Sequence, residues 1–244
     1  MIYKVISFNM CHGDNNNGII DVANQANVIK QYNPDLILLQ EVDICTQRSL
    51  YKNELSEFKK NIGFDYSCHG ANIPYKGGWY GNAILSKYPI LSSENYLSSF
   101  SKLSNETKGM QHAEININGR IINVFNTHLP VYEEERVVFA ESLLNMMKRN
   151  DISGDMILAG DFNFGVIPLG SHRYNFEKKD SYIEYEKILE VFKDANFKDN
   201  TWPTGNPIAD IDKVFYNGNI ELITVKRLNV DISDHYPIYA EFNI

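Results

Sequence analysis

The chain has 244 residues, 43% of them hydrophobic and 22% charged, which suits a single domain spanning residues 1–244 with one sizeable core. Its 23 Lys and Arg against 31 Asp and Glu leave a net charge of −8, which disfavours long polyanions, since binding to a nucleic-acid backbone rests on cation–phosphate contacts. No run approaches the roughly eighteen apolar residues of a membrane-spanning helix, and Cys11, Cys45 and Cys68 match no zinc-ligand spacing and read as small buried hydrophobes.

The chain opens on a strand, residues 4–8 (KVISF), that closes at Asn9. No basic segment followed by an apolar one precedes it, which fits a cytoplasmic protein, or a secreted one whose signal has been removed. Residues 20–32 place Val22, Ala26 and Ile29 at helical spacing and stop ahead of Pro34. Residues 35–39 (DLILL) form a second strand ending at Gln40–Glu41, and a third is expected at 81–86. Residues 114–117 and 121–125 flank Asn118–Gly119 as a hairpin, the second strand closing on Asn126, Thr127 and His128. Residues 133–149 begin with three acids and end on Lys148–Arg149, each sign at its favourable helix end. Val137, Ala140, Leu144 and Met147 give that helix a core-facing stripe. Strand 156–159 then delivers Gly160-Asp161-Phe162-Asn163, the polar stretch 170–180 reads as a loop insertion, and 182–192 is a third helix. Strands at 214–216 and 238–242 complete the chain. Strands outnumber helices and some neighbours pair as hairpins, so the expected class is α/β (α+β), mixed sheets covered by helices.

Four of these strands end on polar groups, and a buried strand that does so places a site on one rim of its sheet. Collected with Asp212, Asp234 and His235, the set is Asn9, Glu41, His128, Asp161 and Asn163. Two carboxylates about 5 Å apart repel by roughly 3 kcal/mol at an effective dielectric of 20. Such a cluster needs protons, donors or a cation. Oxygen ligands without a thiolate among them favour a hard cation, Mg²⁺ or Mn²⁺, and such a cation beside His and Asn suits phosphoryl chemistry. Singly, each residue has a plainer role open to it: Asp161 in a turn, Asn163 as a helix cap, Glu41 and Asp234 as surface acids. The ordered set has no such account.

The segments SFN (7–9), LQEVD (39–43), GNAILSKYPI (81–90), NTHLP (126–130), GDFN (160–163), IDKVFY (211–216) and SDHYPI (233–238) resemble, in this order, the endonuclease/exonuclease/phosphatase superfamily. Within it, EVDICTQRS (41–49) and GGWYGNAILSKYPI (77–90) look like its compact bacterial metal-dependent hydrolases. The resemblance implies a four-layer α/β sandwich, two mixed sheets face to face with helices outside. It implies a Mg²⁺- or Mn²⁺-dependent phosphoesterase that hydrolyses a phosphodiester or phosphomonoester by in-line attack of water. By motif position, Glu41 is then the principal metal ligand, with Asn9 and Asp234 near the metal or its waters. Asp161 orients or deprotonates the water, Asn163 fixes the same group, and His128 donates to a phosphate oxygen. His235, held by Asp212, either binds the phosphate or acts as base; the resemblance leaves the base open between Asp161 and His235.

Arg48 reads either as a contact to a second phosphate or the substrate's head group or as the partner of a surface acid, and Asn82 reads as site-facing. Trp79 and Tyr80 wall a pocket or cap the core. His12 follows Asn9 closely and reads either as lining the rim or, preferably, as a solvated loop residue near Gly13-Asp14, and His69, His112 and His172 have no motif behind them. The pattern departs from apurinic endonucleases after Asn9, where Met10-Cys11-His12 lacks their acid, and at Lys213, where many relatives carry Tyr. No basic DNA-gripping loop and no exposed apolar hairpin is evident. The expected partner is therefore a small or medium phosphoester, acted on by a monomer, with DNA or RNA cleavage the alternative. A catalytically silent scaffold is disfavoured because clustered carboxylates are costly to keep without a use. A thiol enzyme built on Cys11 lacks a resolving cysteine or a base.

Overall fold

The structure, a computed structural model, describes residues 1–98, 106–170, 173–179 and 181–244. In chain order its elements are β1 (Ile2–Asn9), α1 (Val22–Lys30), β2 (Leu36–Ile44), α2 (Glu54–Ile62), β3 (Tyr66–Tyr75), β4 (Gly78–Ser86), β5 (Ile90–Leu97), β6 (Gly109–Ile117) and β7 (Arg120–His128). There follow α3 (Glu133–Arg149), β8 (Asp155–Asp161), β9 (Val166–Gly170), β10 (Arg173–Phe176), α4 (Ile183–Leu189), β11 (Lys193–Asp194), β12 (Asp212–Asn217), β13 (Glu221–Arg227) and β14 (Ile238–Asn243). One six-stranded sheet has the order β13-β14-β1-β2-β4-β3 and the other β11-β12-β8-β7-β6-β5, with β9 and β10 as a separate hairpin. In each sheet one parallel pair, β1 with β2 or β7 with β8, lies between antiparallel neighbours. No helix among the described residues is long and apolar enough to cross a membrane.

The period-two geometry of a strand sorts its residues between two faces. Tyr3 and Val5 of β1, Leu36 and Leu38 of β2, Ile122 and Val124 of β7, and Ile157 and Ala159 of β8 fill the layer between the sheets. Their alternates Ile6, Phe8, Ile37 and Leu39 lie in an outer layer with Val22, Ala26 and Ile29 of α1 and Leu55, Phe58 and Ile62 of α2. On the far side Phe125, Met156 and Leu158 pack with Phe139, Leu143 and Met147 of α3 and Ile188 of α4. Three apolar layers separate helices, sheet, sheet and helices, giving the four-layer α/β sandwich. Because both faces of the central strands are covered, their sequences are nearly continuous apolar runs.

The expected helices and strands are present with adjusted ends. Helix α1 begins one turn-defining residue after Asp21, whose carboxylate accepts from Asn24 N at 3.0 Å. Helix α3 has the expected bounds, and α4 is shorter than 182–192. The stretch read as a loop insertion instead contributes β10 and the end of β9, paired antiparallel. Helix α2 and strands β3, β5 and β13 are additions to the expected elements. Cys45 is exposed, and Cys11 and Cys68 are half-buried, so the cysteines are not uniformly core residues.

Candidate functional site

The two parallel pairs bring the C-terminal ends of β1, β2, β7 and β8 to one rim. β12 and β14 run antiparallel to β8 and β1, so their starts reach the same rim. Asp212 stands opposite Asp161 in the β12–β8 register, and His128 opposite Asp161 in the β7–β8 register. Asn9 ends β1, and Asp234 and His235 lie just ahead of β14.

Local geometry aims two of these groups. Leu39 faces Ala83 and Val42 faces Gly81, so Gln40 and Glu41 together oppose Asn82 in a β-bulge. Glu41 adopts φ +58, a left-handed conformation that non-glycine residues visit at a cost of about 1–2 kcal/mol. Gln40 continues the inward face of Leu38, whereas Val42, past the bulge, packs in the helix-side layer with Leu39. Glu41 is thereby released to the cleft. Beside it, Gly160 has φ +152, and a Cβ there would lie 1.9 Å from the Thr127 carbonyl oxygen. The glycine lets β8 approach β7 where Asp161 must stand.

Asn9 holds two acids at once: its Nδ2 donates to Glu41 Oε1 and to Asp161 Oδ2, each at 3.1 Å. Asp161 Oδ1 accepts from Asn163 N at 3.0 Å, while Asn163 Nδ2 donates to Leu129 O at 2.9 Å. His235 Nδ1 is 2.9 Å from Asp212 Oδ2, which also accepts from Thr201 Oγ1 at 2.5 Å. His235 Nε2 and His128 Nε2 lie 3.8 and 3.5 Å from Asp161 Oδ2. Trp202 Nε1 donates to Asp234 Oδ2 at 3.4 Å. Behind the rim, Gln40 Nε2 donates to Asn126 Oδ1 at 2.7 Å, and Asn126 Nδ2 donates to the carbonyls of Leu39 and Ala83. That buried amide pair ties one sheet to the other.

These groups surround a cleft of about 670 Å³ lined by Glu41, Asp161, Asn163, Asp234, His128 and His235, with Lys108, Glu106, Tyr80, Tyr132, Tyr174 and Trp202 on its walls. Asn9 and Asp212 support the lining from behind. Burial pushes the Asp161 carboxyl up to about 7; His235 pulls against this and Asp212 reinforces it. Burial also drives His128 well below the usual imidazole range, helped by Lys108 and His235. Burial acts the same way on His235, but Asp212, Asp234 and Asp161 outweigh it and hold this imidazole well above its ordinary value. Two buried histidines thus take opposite charge states, neutral at 128 and cationic at 235.

The donor set fits a hard divalent cation. Glu41, Asp161 and Asp234 present carboxylates to one cleft, whereas His235, kept cationic beside Asp212, is not a ligand. Asn9, by donating to Glu41 and Asp161, leaves its own Oδ1 committed to Cys11 N at 3.1 Å.

Arg48 and Asn82 are not among the cleft walls. Arg48 forms a two-pronged pair with the buried Asp43, Nε to Oδ2 at 2.6 Å and Nη2 to Oδ1 at 2.9 Å, and its guanidinium covers the Tyr75 ring at 4.7 Å. Of the two sequence readings of Arg48, the geometry displays the pairing with an acid. Asn82 is fully buried and donates to Gly109 O at 2.9 Å. Tyr80 walls the cleft, whereas Trp79 is exposed outside it. His12 is half-buried beside Glu41 and Cys11, not a solvated loop residue. His112 bonds Asn123 at 2.8 Å and stacks on Phe125, and His172 lies outside the described residues.

Lys108 was not found from the sequence. It is buried just ahead of β6, with its Nζ 3.3 Å from His128 Nε2 and 3.1 Å from Glu106 Oε1. A lysine has no acceptor, so it donates and His128 Nε2 accepts. The signal available was Thr107-Lys108-Gly109 opening a strand opposite the NTH segment: Gly109 lies where a Cβ would meet Asn72 Oδ1 at 2.0 Å, and Met110 pairs with Thr127. Tyr174 and Trp202, perpendicular at 6.3 Å between ring centres, were likewise beyond the motifs.

Comparison with known proteins agrees with this fold. The chain is 26% identical over 196 residues to the uncharacterized protein YbhP of Escherichia coli strain K12, covering 77% of this chain and 72% of that protein. Among solved structures, the endonuclease/exonuclease/phosphatase from Bacteroides vulgatus superposes with a TM-score of 0.77 at 18% identity over 100% of this chain and 99% of that one. D. rerio TDP2 complexed with single-strand DNA product superposes with a TM-score of 0.71 at 17% identity over 100% of this chain and 99% of that one. The model of the Endonuclease/Exonuclease/phosphatase family matches residues 6–235, nearly the whole sequence and every motif of the rim, and the chain belongs to that family.

Proposed function

We propose that the chain is a divalent-metal-dependent phosphoesterase acting on a small or medium-sized phosphodiester or phosphomonoester. The observation that carries this reading is the single amide of Asn9 joining Glu41 to Asp161, with the Asp212–His235 pair facing the same Asp161 oxygen. Glu41, with Asn9 and Asp234 beside it, would hold Mg²⁺ or Mn²⁺, and such a cation supplies charge neutralisation at a phosphoryl oxygen.

The chain's own groups divide the remaining work. Asp161, with Oδ1 fixed by the Asn163 amide, directs Oδ2 toward the attacking water and takes its proton; a carboxylate raised toward neutrality is suited to that task. His235, kept cationic by Asp212, presents Nε2–H to a phosphoryl oxygen. Lys108, oriented by its bond to Nε2 of neutral His128, adds a second positive donor that can contact the oxygens gaining charge during in-line displacement. Among the described residues the cleft walls carry Glu41, Glu106, Asp161 and Asp234 against Lys108 and cationic His235, a balance that favours a compact substrate over a long polyanion.

The test is hydrolysis of bis-p-nitrophenyl phosphate and p-nitrophenyl phosphate with Mg²⁺, Mn²⁺ or EDTA, for wild type and Asp161→Asn. Activity abolished by EDTA and by the substitution supports the reading, and the preferred ester separates diesterase from phosphatase. Equal rates in wild type and Asp161→Asn overturn it. Cleavage of DNA with a steep loss on raising salt would replace it by the nuclease reading.

A further inference from the structure

Between Asn9 and the first helix the chain makes a turn unlike the rest of the rim. Cys11 and His12 take φ +45 and +43 in succession, and Gly13 follows at +79. Two adjacent non-glycine residues in the left-handed region cost on the order of 1–2 kcal/mol each. The turn is nonetheless pinned, by Cys11 N to Asn9 Oδ1 at 3.1 Å, Gly13 N to Met10 O at 2.9 Å and Asp14 N to Cys11 O at 2.8 Å. At Gly13 a Cβ would sit 2.7 Å from Val22 Cγ2, so the backbone is pressed against α1 and cannot relax outward.

This conformation carries the Cys11 sulfur and the His12 ring to Glu41. Ligand atoms of Cys11, His12 and Glu41 all fall within 4.8 Å of one another, and Asp234 lines the same cleft as Glu41. The Nδ1 of His12 is buried and has no hydrogen-bond partner among the described residues. A buried nitrogen without a partner forfeits about 1–3 kcal/mol, and a metal ion is a partner to which a lone pair there donates. Metal–ligand bonds of roughly 2.0–2.3 Å place the ligands of a tetrahedral ion about 3.5 Å apart. A spread of at most 4.8 Å therefore closes by modest side-chain rotation.

We infer that Cys11, His12 and Glu41 form a second cation site, selective for borderline thiophilic ions of the Zn²⁺ class, with Asp234 positioned as a fourth ligand. Sulfur, nitrogen and one or two carboxylate oxygens match Zn²⁺ or Co²⁺ and mismatch Mg²⁺, which demands oxygen ligands and octahedral geometry. On binding, the thiol proton leaves for solvent and the sulfur bonds the ion as thiolate. The site shares Glu41 with the hard-cation site; that sharing rests on the proposed phosphoesterase reading, whereas the Cys11–His12 pair does not. Its consequence is competition, with micromolar Zn²⁺ displacing Mg²⁺ from Glu41.

The probe is Co²⁺ titrated into the intact purified protein and followed by absorbance. The expected result is one equivalent bound with a thiolate-to-cobalt charge-transfer band, displaced by Zn²⁺. The band should vanish in Cys11→Ser, persist in a Cys45→Ser/Cys68→Ser protein, and need at least tenfold more Co²⁺ in His12→Gln. Circular dichroism confirms that each variant folds. No band in wild type, or a band that survives Cys11→Ser, overturns the site. Mn²⁺ binding, measured separately by electron paramagnetic resonance, should be within threefold of wild type in Cys11→Ser. Its absence in wild type would remove the hard-cation reading of Glu41 and leave the cobalt result standing, so the two failures are distinguishable.

Discussion

Glu54 opens α2 with its carboxylate completely buried. One oxygen accepts from Asp43 N at 2.7 Å, just past the bulge that presents Glu41, and the other has no partner among the described residues. Burial pushes this carboxyl from an ordinary value near 4.5 up to about 8, against the opposing effect of the Asp43 amide. The folded state therefore holds the proton more tightly than the unfolded chain. The resulting stabilisation is complete below about 4.5 and is lost as pH rises through about 8. At about 1.4 kcal/mol per pH unit, that window corresponds to roughly 5 kcal/mol, an upper value because denatured chains retain some burial. Glu54→Gln keeps an acceptor for Asp43 N and cannot ionise. Urea unfolding of both proteins at pH 5.5, 7 and 8.5 isolates this group, because every other titration cancels in the difference. At pH 8.5 the variant should exceed wild type by about 2–4 kcal/mol, and at pH 5.5 the two should agree within about 1 kcal/mol. Parallel pH profiles for the two proteins would refute the reasoning.

Three further outcomes test the site and its scaffold. Asp212→Asn removes the charge that keeps His235 cationic, so kcat should fall about 10²–10⁴-fold and the alkaline limb of the pH–rate profile should move to lower pH; an unchanged profile would separate His235 from Asp212. Lys108→Met should raise KM about tenfold or more through loss of a charged hydrogen bond of about 1.5–3 kcal/mol to substrate, while thermal unfolding stays within a few degrees; an unaltered KM would remove Lys108 from the phosphate contacts. Gly160→Ala drives a methyl group into the Thr127 carbonyl at 1.9 Å and should cost about 3 kcal/mol or more of unfolding free energy; a loss below 1 kcal/mol would show that β7 and β8 can separate there.

How much could be read in advance depended on what each segment buries. β1, β2, β7 and β8 are covered on both faces, and their unbroken apolar runs announced them. The bounds of helix α3 were legible because its acids and bases mark its two ends, but its buried face runs through Phe139, Leu143 and Met146 with Ala140 and Met147, leaving Val137 and Leu144 of the expected stripe half-buried at its margin. Helix α2 carries only Leu55, Phe58 and Ile62 on its apolar face among lysines and acids, too thin a stripe to stand out in nine residues. β5 and β13 are outer strands with largely solvated faces, and β10 emerges from polar sequence because pairing with β9 supplies what its side chains do not. In the site, residues at strand ends were recoverable because their motifs are contiguous. Lys108 and the Cys11–His12 turn were not. Lys108 depends on β6 lying beside β7, and the turn on three left-handed residues that no spacing rule anticipates.

The Gln40–Asn126 amide pair has a mechanical consequence. Asn9 and Glu41 ride on one sheet, His128, Asp161 and Asp212 on the other, so the geometry of the candidate site exists only when two separately hydrogen-bonded plates sit at one lateral offset. Aliphatic contact between plates resists separation but is nearly indifferent to sliding, since hydrophobic attraction has no direction. The amide pair works as a dowel: its bonds to Leu39 and Ala83 carbonyls fix the offset a few ångströms below the rim. Adhesion and alignment are thereby assigned to different atoms, and a chain whose dowel is loosened can stay folded while its two half-sites fall out of step.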